Sequence, residues 1–182
     1  EKFYFMLNKS KISWVNQPNP KGFGDAVKHA GLFVGNDDFL VTAGDTLLPT
    51  GDKIIKKLMN SKLQGENDAI ILLKKVSNPK RFGVAVVKKE KNRMKVINVE
   101  EKPKKPKSNL SIVALYRFRP SIIKALNEIK PKKTELQLTS GIQKLIDWGG
   151  NVSAIILDDK DEVIDIGTGE SYLNTITKFK AI

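Results

Sequence analysis

The fold of this chain is decided by the stretch FLVTAGDT at residues 39–46, where an apolar run ends in two small residues and a single carboxylate, Asp45. In α/β proteins with parallel strands, ligands bind just beyond the carboxyl ends of the strands, and small residues there leave room for a substrate. Asp45 is therefore a candidate metal ligand. The same pattern suits an aspartate that caps the following turn or helix, so this stretch alone leaves both roles open.

Short apolar runs alternate with helical patterns along the chain, which predicts βα units. Strands are predicted at residues 12–15, 39–43, 69–73, 84–87, 96–99, 111–118, 152–157 and 163–166. Helices are predicted at about residues 24–30, 52–62 with Asp52 as its cap, 120–129, 138–148 ending at Gly149-Gly150, and 170–179. The expected fold is Rossmann-like α/β, with a mixed, mainly parallel sheet flanked by helices.

Length and composition bound the class of protein. A chain of 182 residues that is 40% hydrophobic can bury one substantial core, which favours a single domain over residues 1–182. The absence of cysteine excludes disulfides, thiol catalysis and cysteine-based zinc or iron–sulfur sites, and it suits a cytoplasmic protein. The single histidine, His29, excludes clusters of histidine ligands. There is no membrane-spanning apolar run, so no membrane partner is expected.

The charge balance raises a separate hypothesis, because 32 basic and 20 acidic residues give a net charge of +12. Such an excess suits a nucleic-acid or phosphate ligand. Lysines are densest at residues 88–95 and 102–107, but no nucleic-acid-binding motif surrounds either cluster. Solvated lysines are the default for such clusters, so no nucleic-acid partner is expected and a basic nucleic-acid-binding module is kept as an alternative. The lysine-rich, cysteine-free composition would also suit a thermophile.

Three further segments could carry chemistry. Residues 17–27 offer the amide of Gln17 and then Gly22, where a planar base or sugar can approach the backbone, although the glycine also suits an ordinary turn. Glu101 and Lys102 end a strand and could bind sugar hydroxyls and a phosphate, or form an exposed acid–base pair. Asp165 lies inside an apolar run, so it needs a cation or several donors, or it caps the following helix.

Taken in this order, the segments resemble the sugar-nucleotide pyrophosphorylases, specifically glucose-1-phosphate thymidylyl- and uridylyltransferases. The resemblance covers nearly the whole chain. The matching blocks are QPNPKGFGDAV at 17–27, AGD at 43–45, NPKRFGV at 78–84, EEKPKKPKSN at 100–109, TELQLT at 134–139 and IDIGTGESY at 164–172.

The resemblance implies roles for individual residues. The nucleotide-binding residues would be Gln17, against the pyrimidine base, and Gly22, against the nucleoside. Asp45 and Asp165 would hold a divalent metal, Mg²⁺, whose preference for hard oxygen ligands they match.

The same resemblance implies that a sugar 1-phosphate, expected to be glucose 1-phosphate, is the second substrate. Gly83, Glu101 and Val113 would contact the hexose, and Lys102 would grip its phosphate. The implied reaction transfers a nucleotidyl group from UTP or dTTP to the sugar phosphate and releases pyrophosphate, with Lys102, Asp45 and Asp165 as the catalytic residues. The expected partners are a nucleoside triphosphate, a sugar 1-phosphate and further copies of the chain in a homo-oligomer.

One part of the family pattern has no counterpart here. Members begin with a glycine-rich loop of the G-x-G-T-R-L type that cradles the triphosphate, and this sequence contains no such loop. The chain is therefore expected to be the later two-thirds of a nucleotidyltransferase domain and to be inactive alone, the intact protein being the enzyme. The alternative is a non-catalytic sugar-nucleotide-binding or regulatory relative without the phosphate loop.

Overall fold

A six-stranded mixed sheet forms the centre of the computed structural model, which describes residues 2–49, 51–61, 67–130 and 135–179. Its strands are β1 (Phe39–Thr42), β3 (Asn67–Lys75), β4 (Gly83–Glu90), β5 (Arg93–Glu101), β6 (Leu110–Phe118) and β7 (Asn151–Ile156). They lie in the order β1-β6-β3-β7-β5-β4, and β4 also contacts β6. A separate two-stranded ribbon joins β2 (Thr46–Leu47) to β8 (Ile164–Asp165).

Helices cover both faces of the large sheet. They are α1 (Lys2–Lys9), α2 (Phe23–His29), α3 (Gly31–Val34), α4 (Gly51–Asn60), α5 (Ser121–Glu128), α6 (Leu138–Asp147) and α7 (Gly169–Phe179), with a 3-10 turn at Pro79–Arg81. Among the residues described, no helix combines the length and the apolar character needed to cross a bilayer.

Strand β3 shows why the sheet is buried on both sides. Ile71 and Leu73 lie in the larger core with residues of α2, α5 and α6, whereas Ile70 and Leu72 pack with α4 in a second core. Successive side chains of a strand point to opposite faces, so the part of a strand that is covered on both faces, here residues 69–73, is apolar throughout. This explains the continuous apolar run that predicted the strand.

The expected predominance of parallel strands is wrong for the described sheet. Only β3 and β7 pair in parallel, and every other described pairing is antiparallel. A parallel pair needs a crossover connection, usually a helix, whereas β4, β5 and β6 follow β3 with no α-helix between them. Apolar runs locate strands but carry no information on their direction. The α/β class with a helix-flanked mixed sheet is confirmed.

Two local predictions also need correction. Residues 12–15 form no strand and are exposed, with Trp14 92% accessible, because the described residues offer them no partner strand. Helix α4 begins at Gly51, so Asp52 lies in its first turn, where a carboxylate suits the helix dipole, and not before it as a cap. Lys62, the predicted end of this helix, lies outside the described residues. The predicted stop of α6 is confirmed, since Gly149 has a φ of 80°.

Candidate functional site

A cleft of about 490 Å³ opens where β4 begins and β5 ends. Gly83, the first residue of β4, pairs with Glu101, the last residue of β5, so the antiparallel ladder places both at the same edge of the sheet. Thr139, near the start of α6, donates a hydrogen bond from its hydroxyl to Glu101 Oε2 at 2.7 Å. The structure therefore brings together the two residues predicted to bind the hexose and adds Thr139 to them.

Gly83 has no side chain that would crowd the neighbouring oxygens of Glu101 and Thr139. A Cβ at this position would lie 3.1 Å from Glu101 Oε2 and 3.3 Å from Thr139 Oγ1. A methyl group there would press on both oxygens. Gly83 thus keeps the Glu101 carboxylate accessible at the wall of the cleft.

Lys102 lines the same cleft in a sparsely populated backbone conformation. Its φ is 43°, in the left-handed region that costs a non-glycine residue about 1–2 kcal/mol. Its backbone N–H donates to Phe82 O at 3.1 Å, which holds the residue at the end of the β4–β5 ladder. Such conformations are retained where the surrounding structure imposes them, often at functional sites. The exposed ammonium group is free to meet an anion in the cleft.

Tyr116 forms a buried part of the cleft wall. It comes from β6, is only 6% accessible, and stacks on Phe118 with ring centroids 5.3 Å apart. Burial, and secondarily the charge of Glu101, raises the pKa of the Tyr116 phenol well above its ordinary value. The phenol is therefore a neutral wall group beside the Glu101 carboxylate.

Val113 does not contribute its side chain to this cleft, which corrects the prediction for that residue. Its side chain is 5% accessible and lies in the second core, beneath α4 on the opposite face of the sheet. Its neighbour Ile112 lines the cleft. Adjacent strand residues point to opposite faces, so a shift of one residue in the sequence comparison exchanges them.

Asp45 and Asp165, the predicted metal ligands, lie next to each other. Thr46 pairs with Asp165 in the β2–β8 ribbon, and the backbone N–H of Ile166 donates to Asp45 O at 2.9 Å. Both carboxylates face Gly167, since a Cβ built there would lie 3.0 Å from Asp45 Oδ2 and 3.0 Å from Asp165 Oδ1. The glycine leaves open a space flanked by two exposed carboxylates.

The donor set of this space suits Mg²⁺. Within the described residues there is no group of three or more histidine, cysteine, aspartate or glutamate side chains that could hold a metal ion. Mg²⁺ is commonly bound by one or two carboxylates and completes its octahedral shell with water and phosphate oxygens. Asp45 and Asp165 meet this requirement, and Asp165 also lines the cleft with Glu101 and Lys102.

Gln17 and Gly22 lie outside the lining of this cleft. Gly22 has a φ of 98°, and a Cβ there would lie 2.8 Å from Leu136 O, so the close approach of residues 21–24 to Leu136 requires a glycine. Gln17 is half-buried and donates its amide N–H to Asp25. The contacts of Gln17 and Gly22 with a nucleoside stay predictions.

Sequence reasoning missed Thr139, Ile112 and Asp25. Thr139 is the last residue of the TELQLT block, and its hydroxyl at a helix start was the available signal. Thr134, the first residue of that block, lies outside the described residues. Ile112 offered no signal, because an apolar residue in an apolar strand suits either face. Asp25 lies inside the 17–27 block, where it is the one acid of helix α2.

A family model and two sequence relatives agree on the class of protein that this chain resembles. A family model described as nucleotidyl transferase matches residues 6–181. A glucose-1-phosphate thymidylyltransferase from Streptomyces antibioticus is 36% identical over 149 residues, covering 81% of this chain and 40% of that protein. A UTP–glucose-1-phosphate uridylyltransferase from Mycoplasma genitalium is 35% identical over 145 residues, covering 75% of this chain and 49% of that protein. The chain spans less than half of the length of either relative.

Solved structures share the fold. A UDP-glucose pyrophosphorylase complexed with UDP-glucose has a TM-score of 0.85 and 24% identity, covering 98% of this chain and 69% of that chain. A UTP-bound UGPase from Acinetobacter baumannii has a TM-score of 0.73 and 26% identity, covering 98% of this chain and 66% of that chain.

Proposed function

Because the chain belongs to the nucleotidyl transferase family, we propose that the protein carrying it transfers a nucleotidyl group from UTP or dTTP to glucose 1-phosphate. A phosphate oxygen of glucose 1-phosphate bonds to the α-phosphorus of the triphosphate, the bond from that phosphorus to the bridging oxygen breaks, and pyrophosphate leaves. The product is a nucleoside diphosphate sugar.

One observation carries this proposal: the adjacent residues Glu101 and Lys102 line the same cleft as Asp165, which comes from a distant part of the chain. A sugar phosphate needs acceptors for its hydroxyl groups and a cation for its phosphate. The Glu101 carboxylate, held by Thr139, supplies the first. The Lys102 ammonium group supplies the second.

Charge is the main obstacle to the reaction, since two anions must approach each other. Lys102 offsets the charge of the attacking phosphate, and Gly83 and Glu101 orient the hexose. Asp45 and Asp165 would hold Mg²⁺, which, when bound, supplies positive charge for phosphate oxygens. Positioning and charge stabilisation account for phosphoryl-group transfers of this kind without a covalent enzyme intermediate.

The two curated relatives named above carry the proposal for the substrates. One is named as a thymidylyltransferase and the other as a uridylyltransferase, and both act on glucose 1-phosphate by name. Uracil and thymine present the same hydrogen-bonding groups to a side chain such as Gln17. We therefore keep UTP and dTTP as the two proposed donors.

The test is pyrophosphate release from UTP or dTTP with glucose 1-phosphate and Mg²⁺, measured on the intact protein and on residues 1–182 alone. Asp45→Asn should lower the rate of the intact protein by orders of magnitude, because a group that stabilises charge in the transition state is lost. A rate within about threefold of wild type would show that the metal assignment is wrong. Binding of UDP-glucose without any pyrophosphate release would instead support the non-catalytic relative.

A further inference from the structure

Asp25 is the one charged residue among the buried side chains of the described residues, with 8% of its surface accessible. It lies in the first turn of α2, and its carboxylate is outside the cleft lining. A buried carboxylate is costly unless hydrogen-bond donors surround it. The contacts of Asp25 therefore indicate what a buried carboxylate does at this position.

The principal contact of the Asp25 carboxylate is with Gln17. Gln17 Nε2 donates to Asp25 Oδ2 at 2.5 Å, across the loop that separates residue 17 from α2. His29 lies one helical turn further along, with Nδ1 3.8 Å from Asp25 Oδ2 and 2.8 Å from the backbone oxygen of Asp25. The carboxylate is thus enclosed between the amide and the imidazole.

This contact determines which way the Gln17 amide faces. A carboxylate only accepts hydrogen bonds, so the amide must turn its NH₂ group towards Asp25. The carbonyl oxygen of Gln17 then points away from Asp25, and no described residue donates a hydrogen bond to it. Because Gln17 is half-buried and not enclosed, this oxygen is available to a ligand.

We propose that Asp25 is a positioning residue that holds the Gln17 carbonyl outward and thereby selects a nucleobase with a ring N–H. This inference rests on the proposed function, in which Gln17 meets the base. Uracil and thymine carry an imide N–H that donates to the Gln17 oxygen, and the second amide hydrogen of Gln17 can donate to the adjacent base carbonyl. Cytosine presents an acceptor and an amino group in these two places, which requires the reversed amide.

The reversed amide is what Asp25 opposes. Turning Gln17 would place its carbonyl oxygen against the Asp25 carboxylate, two acceptors without a proton between them. Leaving such buried groups unpaired weakens binding by about tenfold to a hundredfold. Asp25 thus converts a residue that could bind any pyrimidine into one that prefers the imide bases.

The test measures binding of UTP and of CTP by calorimetry, with Mg²⁺, to the intact protein. Wild type should bind UTP at least about tenfold more tightly than CTP. In Asp25→Asn the new amide can present either its NH₂ or its oxygen, so Gln17 is free to turn and the UTP-to-CTP ratio should fall by at least about fivefold. Asp37→Asn, at an exposed position, is the matched control and should keep the wild-type ratio.

A double-mutant cycle with Gln17→Ala distinguishes the proposed positioning role of Asp25 from a purely structural role. Loss of fold would weaken UTP and CTP equally, whereas the proposal expects the effect of Asp25→Asn on the ratio to vanish once Gln17 is alanine. A ratio in Asp25→Asn within about twofold of wild type overturns the inference. A wild type that binds UTP and CTP equally also overturns it, and one that binds none of UTP, dTTP and CTP refutes the proposed function itself.

A measurement without variants of Asp25 covers the case in which Asp25→Asn does not fold. In ¹⁵N-edited NMR spectra of the wild type, one side-chain amide proton of Gln17 should be shifted strongly downfield by its hydrogen bond to Asp25. The signal is assigned by its disappearance in Gln17→Ala. Two Gln17 amide protons at the ordinary positions of a solvated amide would overturn the inference.

Discussion

The carboxylate of Asp165 accepts a hydrogen bond at 2.7 Å from the backbone N–H of Gly167, two residues further along the chain. This short turn fixes one oxygen of Asp165 and directs the chain past Asp45. The missing side chain of Gly167 then leaves open the space that both carboxylates face. The candidate metal site therefore depends on a glycine as much as on its two acids.

Gly167→Ala should weaken metal binding while leaving the fold intact. The new methyl carbon would lie 3.0 Å from one oxygen of each aspartate, so the carboxylates must move apart or the metal loses space. We expect at least a tenfold loss of Mn²⁺ affinity, measured by electron paramagnetic resonance, and a matching rise in the Mg²⁺ concentration needed for half-maximal activity. Gly169→Ala is the control, because no described residue beyond its chain neighbours and its own helix backbone lies within 4 Å of its added carbon. Equal Mn²⁺ affinity in both variants would contradict the site.

Thr139→Val should raise the KM for the sugar 1-phosphate and leave the KM for the nucleotide nearly unchanged. The substitution removes the hydroxyl that donates to Glu101 Oε2 at 2.7 Å. Hydrogen bonds to charged groups contribute about 1.5–3 kcal/mol, so at least a tenfold rise is expected. Steady-state kinetics with each substrate varied in turn provides the measurement. Thr177→Val, at an exposed position of α7, should change neither KM.

Two replacements of Lys102 should show separately how its backbone strain affects stability and how its charge affects activity. With φ at 43°, Lys102→Gly should be more stable than Lys102→Ala by about 1 kcal/mol in denaturant unfolding. Both variants should lose at least tenfold in kcat/KM for the sugar phosphate, since both lack the ammonium group.

Lys91 is the matched control for Lys102, because its φ is 50° and it lies at the tip of the β4–β5 hairpin. The pair Lys91→Gly and Lys91→Ala should show the same difference in stability with unchanged kcat/KM. If Lys102→Ala retained wild-type kcat/KM, the phosphate-binding role of Lys102 would be wrong.

Tyr116 should make stability fall at alkaline pH. Its pKa is raised in the native state, so its contribution to stability is complete below the pKa of an unfolded tyrosine and is lost as pH rises towards the native value. Between pH 8 and about pH 11, the free energy of unfolding of wild type should fall by about 1 kcal/mol more than that of Tyr116→Phe. Denaturant titrations at both pH values measure this difference. Parallel pH profiles for the two proteins would show that the Tyr116 phenol is not shielded.

The fold was predictable from the sequence where burial imposes a pattern. The apolar run at 69–73 located β3, because the part of the strand that is covered on both faces is apolar on both. The same logic failed at residues 12–15, which are apolar except for Ser13 but have no partner strand in the described structure. Local sequence indicates what a segment can form, whereas a strand also requires a neighbour.

The candidate site likewise contains residues that the sequence identified and residues that only the structure identified. Glu101 and Lys102 were found because a charged pair at a strand end is visible in the sequence, and the structure places both on one cleft with Asp165. Ile112 was missed in favour of Val113, because two adjacent apolar residues do not reveal which faces the ligand. The Gln17–Asp25 bond was missed because an amide and a carboxylate eight residues apart carry no local signal of contact.

The sequence by itself determined the residue types available for chemistry and the order in which they occur, since these are properties of composition and local pattern, and the resemblance of its motif blocks indicated the family. Membership of the nucleotidyl transferase family is confirmed on this basis. The tertiary structure decided that five of the six described pairings in the large sheet run antiparallel, that Asp45 and Asp165 meet across Gly167, and which face of β6 lines the cleft. These features depend on contacts between segments far apart in the chain, whose free energy exists only once the sheet has formed.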